Sequence, residues 1–209
     1  MRRTTIAAAA VLLLPNALAA QREPRPMREM RAFEPAWVAG VGFVSTGDRA
    51  ESGNVKYGYT NSVTVEFGVD MPLRRRAGVL LSATIAPLAK VRREDAVAVA
   101  VTRNAPIIAG DVALGFRLKP WAPAFLAIGG GYTHSTRTPL PAESGGMGAP
   151  HVMIAAGFDG QIRNTYGLRL RFALRKVMEA SADDPAIEAR SPLDLQVSLA
   201  VRSRRASFR

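Results

Sequence analysis

Residues 62 to 71, Ser-Val-Thr-Val-Glu-Phe-Gly-Val-Asp-Met, decide the fold. Val63, Val65, Phe67, Val69 and Met71 fall on one register, and Ser62, Thr64, Glu66, Gly68 and Asp70 on the other. A period of two puts the two sets on opposite faces of a pleated strand, whereas a helical stripe needs a period near 3.6. The stretch therefore predicts a β-strand with one apolar and one polar face.

The same rhythm continues on both sides. Before it, Trp37, Ala39, Val41 and Phe43 alternate with Val38, Gly40 and Gly42. After it come six further segments. Their apolar registers hold Val79, Leu81, Ala83 and Ile85; Ile108, Val112, Leu114 and Phe116; Leu126, Ile128 and Tyr132; Val152, Ile154, Ala156 and Phe158; Tyr166, Leu168, Leu170, Phe172 and Leu174; and Leu193, Leu195, Val197, Leu199 and Val201. No charged residue stands on the apolar register of any of the eight. An Arg or Lys facing lipid at mid-bilayer costs about 2–4 kcal/mol, so lipid exposure is the natural cause of that exclusion.

The opposite register carries Glu66, Asp70, Asp111, Asp159 and Asp194 together with Arg117, Arg169, Arg171, Arg175 and Arg202. A soluble barrel that encloses an apolar ligand would line its interior with apolar residues, and a sandwich would bury its apolar face. An eight-stranded barrel has an interior just wide enough for side chains to fill. Five acids and five arginines in that space are expected to pair into an ionic network and leave no continuous water channel. The fold class that follows is all-β, an eight-stranded antiparallel up-and-down transmembrane β-barrel.

The connections alternate in length. Short links follow the second, fourth and sixth strands: Pro72 to Ala77, Lys119 to Ala124, and the region of Arg163, Asn164 and Thr165. Long ones follow the first, third, fifth and seventh: Ser45 to Asn61, Lys90 to Pro106, Thr133 to Pro150 and Lys176 to Pro192. Short periplasmic turns and long external loops are the asymmetry of outer-membrane barrels, and they put both termini in the periplasm. Trp37, Phe67, Phe116, Trp121, Phe158 and Tyr166 lie at or near the strand ends that meet the short turns, with Phe43, Tyr59 and Tyr132 at the opposite rim, as interfacial girdles require.

The N-terminus agrees. Arg2 and Arg3, the apolar run Ile6 to Leu14, and Ala17-Leu18-Ala19-Ala20 before Gln21 match the three regions of a secretory signal. Pro15 interrupts the run well short of the ~20 residues of a spanning helix. The domain reading is a signal peptide over 1–20, a flexible periplasmic lead over 21–35 rich in proline and charge, and an outer-membrane β-barrel domain over 36–209. The formal net charge of +11 would suit nucleic acid or an anionic surface, but export argues against nucleic acid and the arginines are scattered. The chain has no cysteine, hence no disulfide framework and no thiolate metal site.

With signal, strand count, loop alternation and ionic interior together, the chain resembles the small eight-stranded outer-membrane barrels of the OmpA, OmpX and OmpW type from Trp37 onward. The resemblance implies residence in the outer membrane and contact with the barrel-assembly machinery. Such barrels usually end in an aromatic residue; here Phe208 is followed by Arg209.

Signs of chemistry are sparse. Some barrels of this kind are lipid A deacylases that use a His, a Ser and a Glu at the outer leaflet, and His134, Ser135, Glu143 and His151 invite that comparison. His134 and Ser135 are adjacent, however, and adjacent residues on a strand face opposite sides. No catalytic, metal or cofactor site is assigned. Asp48, Glu51, Glu94, Asp95, Glu179, Asp183, Asp184 and Glu188 are loop carboxylates without a repeating ligand spacing. Gly129-Gly130-Gly131 lies in a strand with no helix after it, so it reads as a packing or bending feature and not a phosphate loop. Arg92, Arg93, Arg103 and Arg137 are placed to meet anionic lipopolysaccharide.

The alternation of Ala and Val over 96–101 predicts a hairpin protruding beyond the bilayer, whose edge would take an extracellular partner by strand addition. The expected function is a non-enzymatic barrel with a salt-bridged, plugged interior, four external loops and a structural or interaction role. The expected partners are outer-membrane lipid and lipopolysaccharide, the assembly machinery and an extracellular partner of the loops, with no nucleic acid and no cofactor. An OmpW-like transport barrel for small or hydrophobic solutes is the alternative, lined by Phe125, Leu80, Leu88 and Met153. An outer-leaflet lipid hydrolase is the third reading.

Overall fold

The computed structural model describes residues 35–73, 76–117, 123–140, 145–162, 166–178 and 188–203. The signal peptide over 1–20 and all of the periplasmic lead except Pro35 lie outside the described residues, as do Trp121, Glu143, Phe208 and Arg209.

From Ala36 the chain is a succession of strands: β1 (Ala36–Ser45), β2 (Asp48–Ser52), β3 (Val55–Tyr59), β4 (Ser62–Pro72), β5 (Ala77–Ala86), β6 (Lys90–Glu94), β7 (Val99–Asn104), β8 (Ile107–Arg117), β9 (Ala124–Ser135), β10 (Met147–Gln161), β11 (Tyr166–Val177), β12 (Glu188–Ala189) and β13 (Leu193–Ser203). Eight of them close a barrel in the order β1-β13-β11-β10-β9-β8-β5-β4, with β1 pairing antiparallel to both β4 and β13. These are the eight segments of alternating sequence. Each pairs with its predecessor and successor around the ring, so the topology is up-and-down. Closure leaves no open edge, and every ladder group finds a partner within the protein, as a hydrocarbon surrounding demands.

The two registers separate as expected. Trp37, Val63, Phe67, Ile128, Ile154 and Leu199 are exposed on the outside, while Thr64, Glu66, Asp111, Arg175, Gln196 and Ser198 are buried in the lumen. Apolar side chains outside and polar ones inside invert the arrangement of a water-soluble barrel. Trp37, Phe116, Phe158 and Tyr166 are exposed at the end of the short turns, and Phe43 and Tyr132 are exposed toward the other end. Tyr59 departs from the girdle reading. It is only 2 % exposed, and its hydroxyl donates to the Arg137 carbonyl at 2.8 Å.

The connections read as long loops hold structure of their own. Asp48–Ser52 pairs with Val55–Tyr59, that strand with Lys90–Glu94, and that one with Val99–Asn104; β12 adds on the far side of β2. The result is a five-stranded sheet, β12-β2-β3-β6-β7, at the end of the barrel where the long connections emerge. Val44, Tyr59, Ala86, Ala89, Ala105 and Ile107, joined by Val91, pack where sheet and barrel meet. Ala50, Tyr57 and Leu140 form a second small core beneath the sheet. The hairpin expected over 96–101 is present as β6 and β7, with Ala96 to Ala98 in its turn and β7 as the outer edge.

Candidate functional site

The lumen concentrates the charged chemistry of the described residues, and β11 builds most of it. Its sequence, Tyr-Gly-Leu-Arg-Leu-Arg-Phe-Ala-Leu-Arg-Lys-Val, sends Arg169, Arg171 and Arg175 inward while Leu168, Leu170, Phe172 and Leu174 face out. The acids come from β4 and β8 across the ring and from the neighbouring strands β10 and β13.

Near the short turns, Arg169 donates to Asp70 from Nη1 at 2.9 Å and from Nη2 at 2.6 Å. Its Nε reaches Asp159 at 2.7 Å. Arg202 donates its Nε to Asp70 at 2.8 Å, and Arg117 is ion-paired with Asp159. The Arg169 guanidinium also lies 4.6 Å from the centre of the Phe125 ring. Two carboxylates and three arginines thus form one layer.

The next layer centres on Glu66, which accepts from Arg171, from the Ser198 hydroxyl at 2.6 Å and from Gln196. Above it, Asp111 is held by Arg175 through Nε at 2.9 Å and Nη2 at 2.7 Å. Asp111 also accepts from Ser82 at 3.1 Å. All ten residues proposed from the sequence for the interior network lie on the lumen side, and nine of them contact one another in these two clusters. The tenth, Asp194, takes a partner from outside that set. Arg49 of β2 reaches into the mouth of the lumen and donates to it at 2.6 Å, and the Gly47 amide donates to it at 3.1 Å.

A second residue absent from the sequence-based set is His151. Its Nε2 lies 2.8 Å from Asp111 and its Nδ1 shares a hydrogen bond of 2.9 Å with Thr133. Hydroxyl, imidazole and carboxylate stand in the order of an acid–base relay. The group is sealed, however: His151 is 3 % exposed and Asp111 is already clasped by Arg175, Arg171 and Ser82. Its role here is to fill and bond. His134 is exposed on the outward face of β9, whereas Ser135 is buried and its hydroxyl donates to the Arg137 carbonyl. The structure therefore does not bring together His134, Ser135 and His151, and Glu143 lies outside the described residues.

Apolar side chains in the lumen form a limited patch. Met153 packs with Ala113, Ala127, Ala155 and Ala173, against Leu80, and Phe125 is buried beside Arg169. Leu88, expected to help line a lumen, is 67 % exposed at the base of the outer sheet. The glycine triplet is a packing feature. Gly129 and Gly131 face inward, where an added Cβ would lie 2.1 Å from the Val112 carbonyl oxygen and 1.8 Å from that of Gly110. Two cavities at the loop end are each about 20 Å³, enough for about one water.

No family model matches the sequence, and no curated protein matches it. Among solved structures the chain is similar to outer membrane protein AlkL in lipid bilayers, with 15 % identity, 90 % of this chain and 99 % of that chain covered, and a TM-score of 0.54. It is also similar to outer membrane protein OprG from Pseudomonas aeruginosa, at 11 % identity over 82 % of this chain and 96 % of that one, with a TM-score of 0.54. Neisserial surface protein A gives 9 % identity over 82 % and 97 %, again with a TM-score of 0.54. The likeness is one of fold, the small eight-stranded outer-membrane barrel. A closed barrel of this fold whose outer face is apolar along the middle of its strands, with His134 and Lys176 only at the loop end, is built for a bilayer, and the outer membrane is where such barrels reside.

Proposed function

We propose that this outer-membrane barrel is a non-enzymatic scaffold whose lumen is plugged by its own ion pairs and which presents the five-stranded sheet to the cell exterior. The observation that carries this reading is the cross-lumen pairing of β11 with β4 and β8. Glu66, Asp111, Arg171 and Arg175 are all buried and bonded to partners on other strands. Charges held this way leave no row of free donors for a permeating solute, and filling by side chains is what an eight-stranded lumen allows.

The interaction role rests on β7. All six of its residues are exposed, and β6 occupies only one of its edges. An open edge outside the bilayer is a template for an extended partner strand. Arg93 on β6, Arg103 on β7 and Arg137 after β9 are exposed and supply cations for lipopolysaccharide phosphates, whereas Arg92 is engaged by Asp48. The other expected partners are membrane lipid and the assembly machinery.

Planar-bilayer recording of the purified barrel tests the plug. The expected result is a silent bilayer at moderate voltage. Steady single-channel currents would overturn the plugged scaffold in favour of a small transport barrel.

A further inference from the structure

The outer edge of the five-stranded sheet lacks the usual protection. Exposed edges are normally blunted by lysine or proline, because their unpaired amides and carbonyls accept another strand. From Ala96 to Thr102, Ala-Val-Ala-Val-Ala-Val-Thr, the chain has neither charge nor proline. All of β7 is exposed, and Val97 in the turn before it is 96 % exposed. The Asp95 amide donates to the Ala98 carbonyl at 3.0 Å, so Ala98 and, by the alternation of an antiparallel ladder, Ala100 turn their backbone groups to β6. Val99 and Val101 therefore turn theirs to solvent. The register shift of this ladder lies past them, between Lys90 and Arg92 on β6.

We propose that this edge pairs antiparallel with β7 of a second copy of the chain, about a two-fold axis at Ala100. The proposal rests on the reading of β7 as an exterior binding edge and names its partner. Two identical strands bond only where outward-turned residues meet outward-turned ones, and a centre at Ala100 sets Val99 against the partner's Val101, and Val101 against the partner's Val99. The same centre brings Arg103, exposed at the far end of β7, level with the turn of the partner. There the Asp95 carboxylate is held through Oδ1 by the Val97 and Ala98 amides, which leaves Oδ2 to receive an incoming guanidinium. Acid and cation thus bracket the uncharged run, and reversing the second strand sets each against its opposite at both ends. The edge is complementary to itself in backbone, side chains and charge. β7 leads toward the barrel and enters β8 through Ala105 and Pro106. An antiparallel copy runs the other way, so the two barrels point in opposite directions and stand in facing membranes.

The test uses the purified barrel with single cysteines, which report cleanly because the chain has none of its own. Residues that face each other across the axis fall within disulfide range, with Cα atoms about 4.4–6.8 Å apart. Oxidation in detergent should give a covalent dimer from Ala100→Cys. Ala98→Cys and Thr102→Cys should cross-link when mixed and not when alone. In phosphatidylcholine vesicles the wild type should cluster the vesicles, read as a rise in light scattering, and Val101→Pro should lose that rise. Proline there removes an N–H that β6 does not use, so the free edge is blocked while the ladder is kept. Arg103→Glu should weaken clustering by setting like charge against Asp95. The shift in mobility between unheated and heated samples on detergent gels establishes that each variant is folded. Ala100→Cys that stays monomeric, or that cross-links no better than Thr102→Cys alone, overturns the proposal, as does clustering unchanged by folded Val101→Pro. Amide exchange separates this from the reading beneath it. A monomer whose Val99 and Val101 amides exchange rapidly overturns self-pairing alone, whereas slow exchange of both in the dilute monomer means a covered edge and overturns the binding edge as well.

Discussion

Arg175 of β11 and Asp111 of β8 meet side by side across the lumen, guanidinium Nε to one carboxylate oxygen at 2.9 Å and Nη2 to the other at 2.7 Å. The fork fixes both side chains in one plane, and between their strands in the ring stand β9 and β10. Removing one partner of a buried pair leaves an uncompensated charge, so Arg175→Met is expected to lower the unfolding free energy by about 3–5 kcal/mol. Arg175→Lys should recover part of the loss, because it keeps the charge without the planar fork. Urea unfolding in lipid vesicles measures both. A cost of Arg175→Met below about 1 kcal/mol, the size of an exposed ion pair, would show that the fork does not brace the barrel.

The β8–β9 seam makes a steric prediction. A Cβ at position 131 would stand 1.8 Å from the Gly110 carbonyl oxygen, a backbone atom that moves only with its strand. Position 110 faces outward, and a Cβ there has nothing within 4 Å. Gly131→Ala should therefore cost about 1–3 kcal/mol or more, as overpacking does. Gly110→Ala should stay within about 0.5 kcal/mol, as a surface change does. The temperature at which the compact gel form converts to the unfolded one reads the contrast, and equal midpoints for the two variants would contradict the close approach.

The barrel was legible in the sequence because one register of every strand meets lipid, which excludes charge, and the other meets a lumen too narrow to hydrate it. That rule reaches only as far as the alternation is followed. Beginning the sixth strand at Val152 leaves out His151, yet β10 starts at Met147, and stepping inward by twos from Met153 arrives at His151 and Ala149. Arg49 offered no such signal. It lies in a five-residue strand, Asp-Arg-Ala-Glu-Ser, with charge on both registers, and it sits at the register shift between Asp48 and Ala50 in the β2–β3 ladder, an irregularity that no sequence period announces. Tyr59 was missed for the same reason: its burial comes from the sheet folding back onto the barrel mouth, a tertiary fact with no local period.

The tip of the β6–β7 hairpin depends on one carboxylate. Asp95 Oδ1 accepts from the Val97 amide at 2.9 Å and the Ala98 amide at 2.7 Å, and these bonds hold its carboxyl below the usual carboxylate range. A depressed folded value means the support is present above the unfolded carboxylate range and lost as pH falls through the folded value. The Val97 and Ala98 amide resonances should move together on acidification, with a midpoint below that of an unstructured aspartate. In Asp95→Ala the transition should vanish and both amides should exchange faster with solvent. Amide shifts that ignore pH below 5 would remove the carboxylate from the turn.

Tyr59 gives the opposite sign at the other end of the pH scale. Burial is the largest influence on its phenol and raises its pKa above 10; the Ser135 hydroxyl and the nearby Arg49 cation partly oppose that rise, and Asp194 adds to it. The folded protein therefore holds this proton more tightly than the unfolded chain does. Above pH 10 the unfolded chain binds fewer protons than the folded one, so the contribution of Tyr59 to stability, complete below pH 10, is lost as pH rises through the folded value. Tyr59→Phe should abolish the latest step of the tyrosinate absorbance titration. It should also cost about 1 kcal/mol at neutral pH, because the Arg137 carbonyl loses the donor at 2.8 Å. The variant should lose less stability than the wild type between neutral pH and pH 11, since it has no phenol to ionise. An absorbance titration of Tyr59→Phe that differs from the wild type only in the height of its earliest step would mean that this phenol is open to water and that the outer sheet does not close over the barrel mouth.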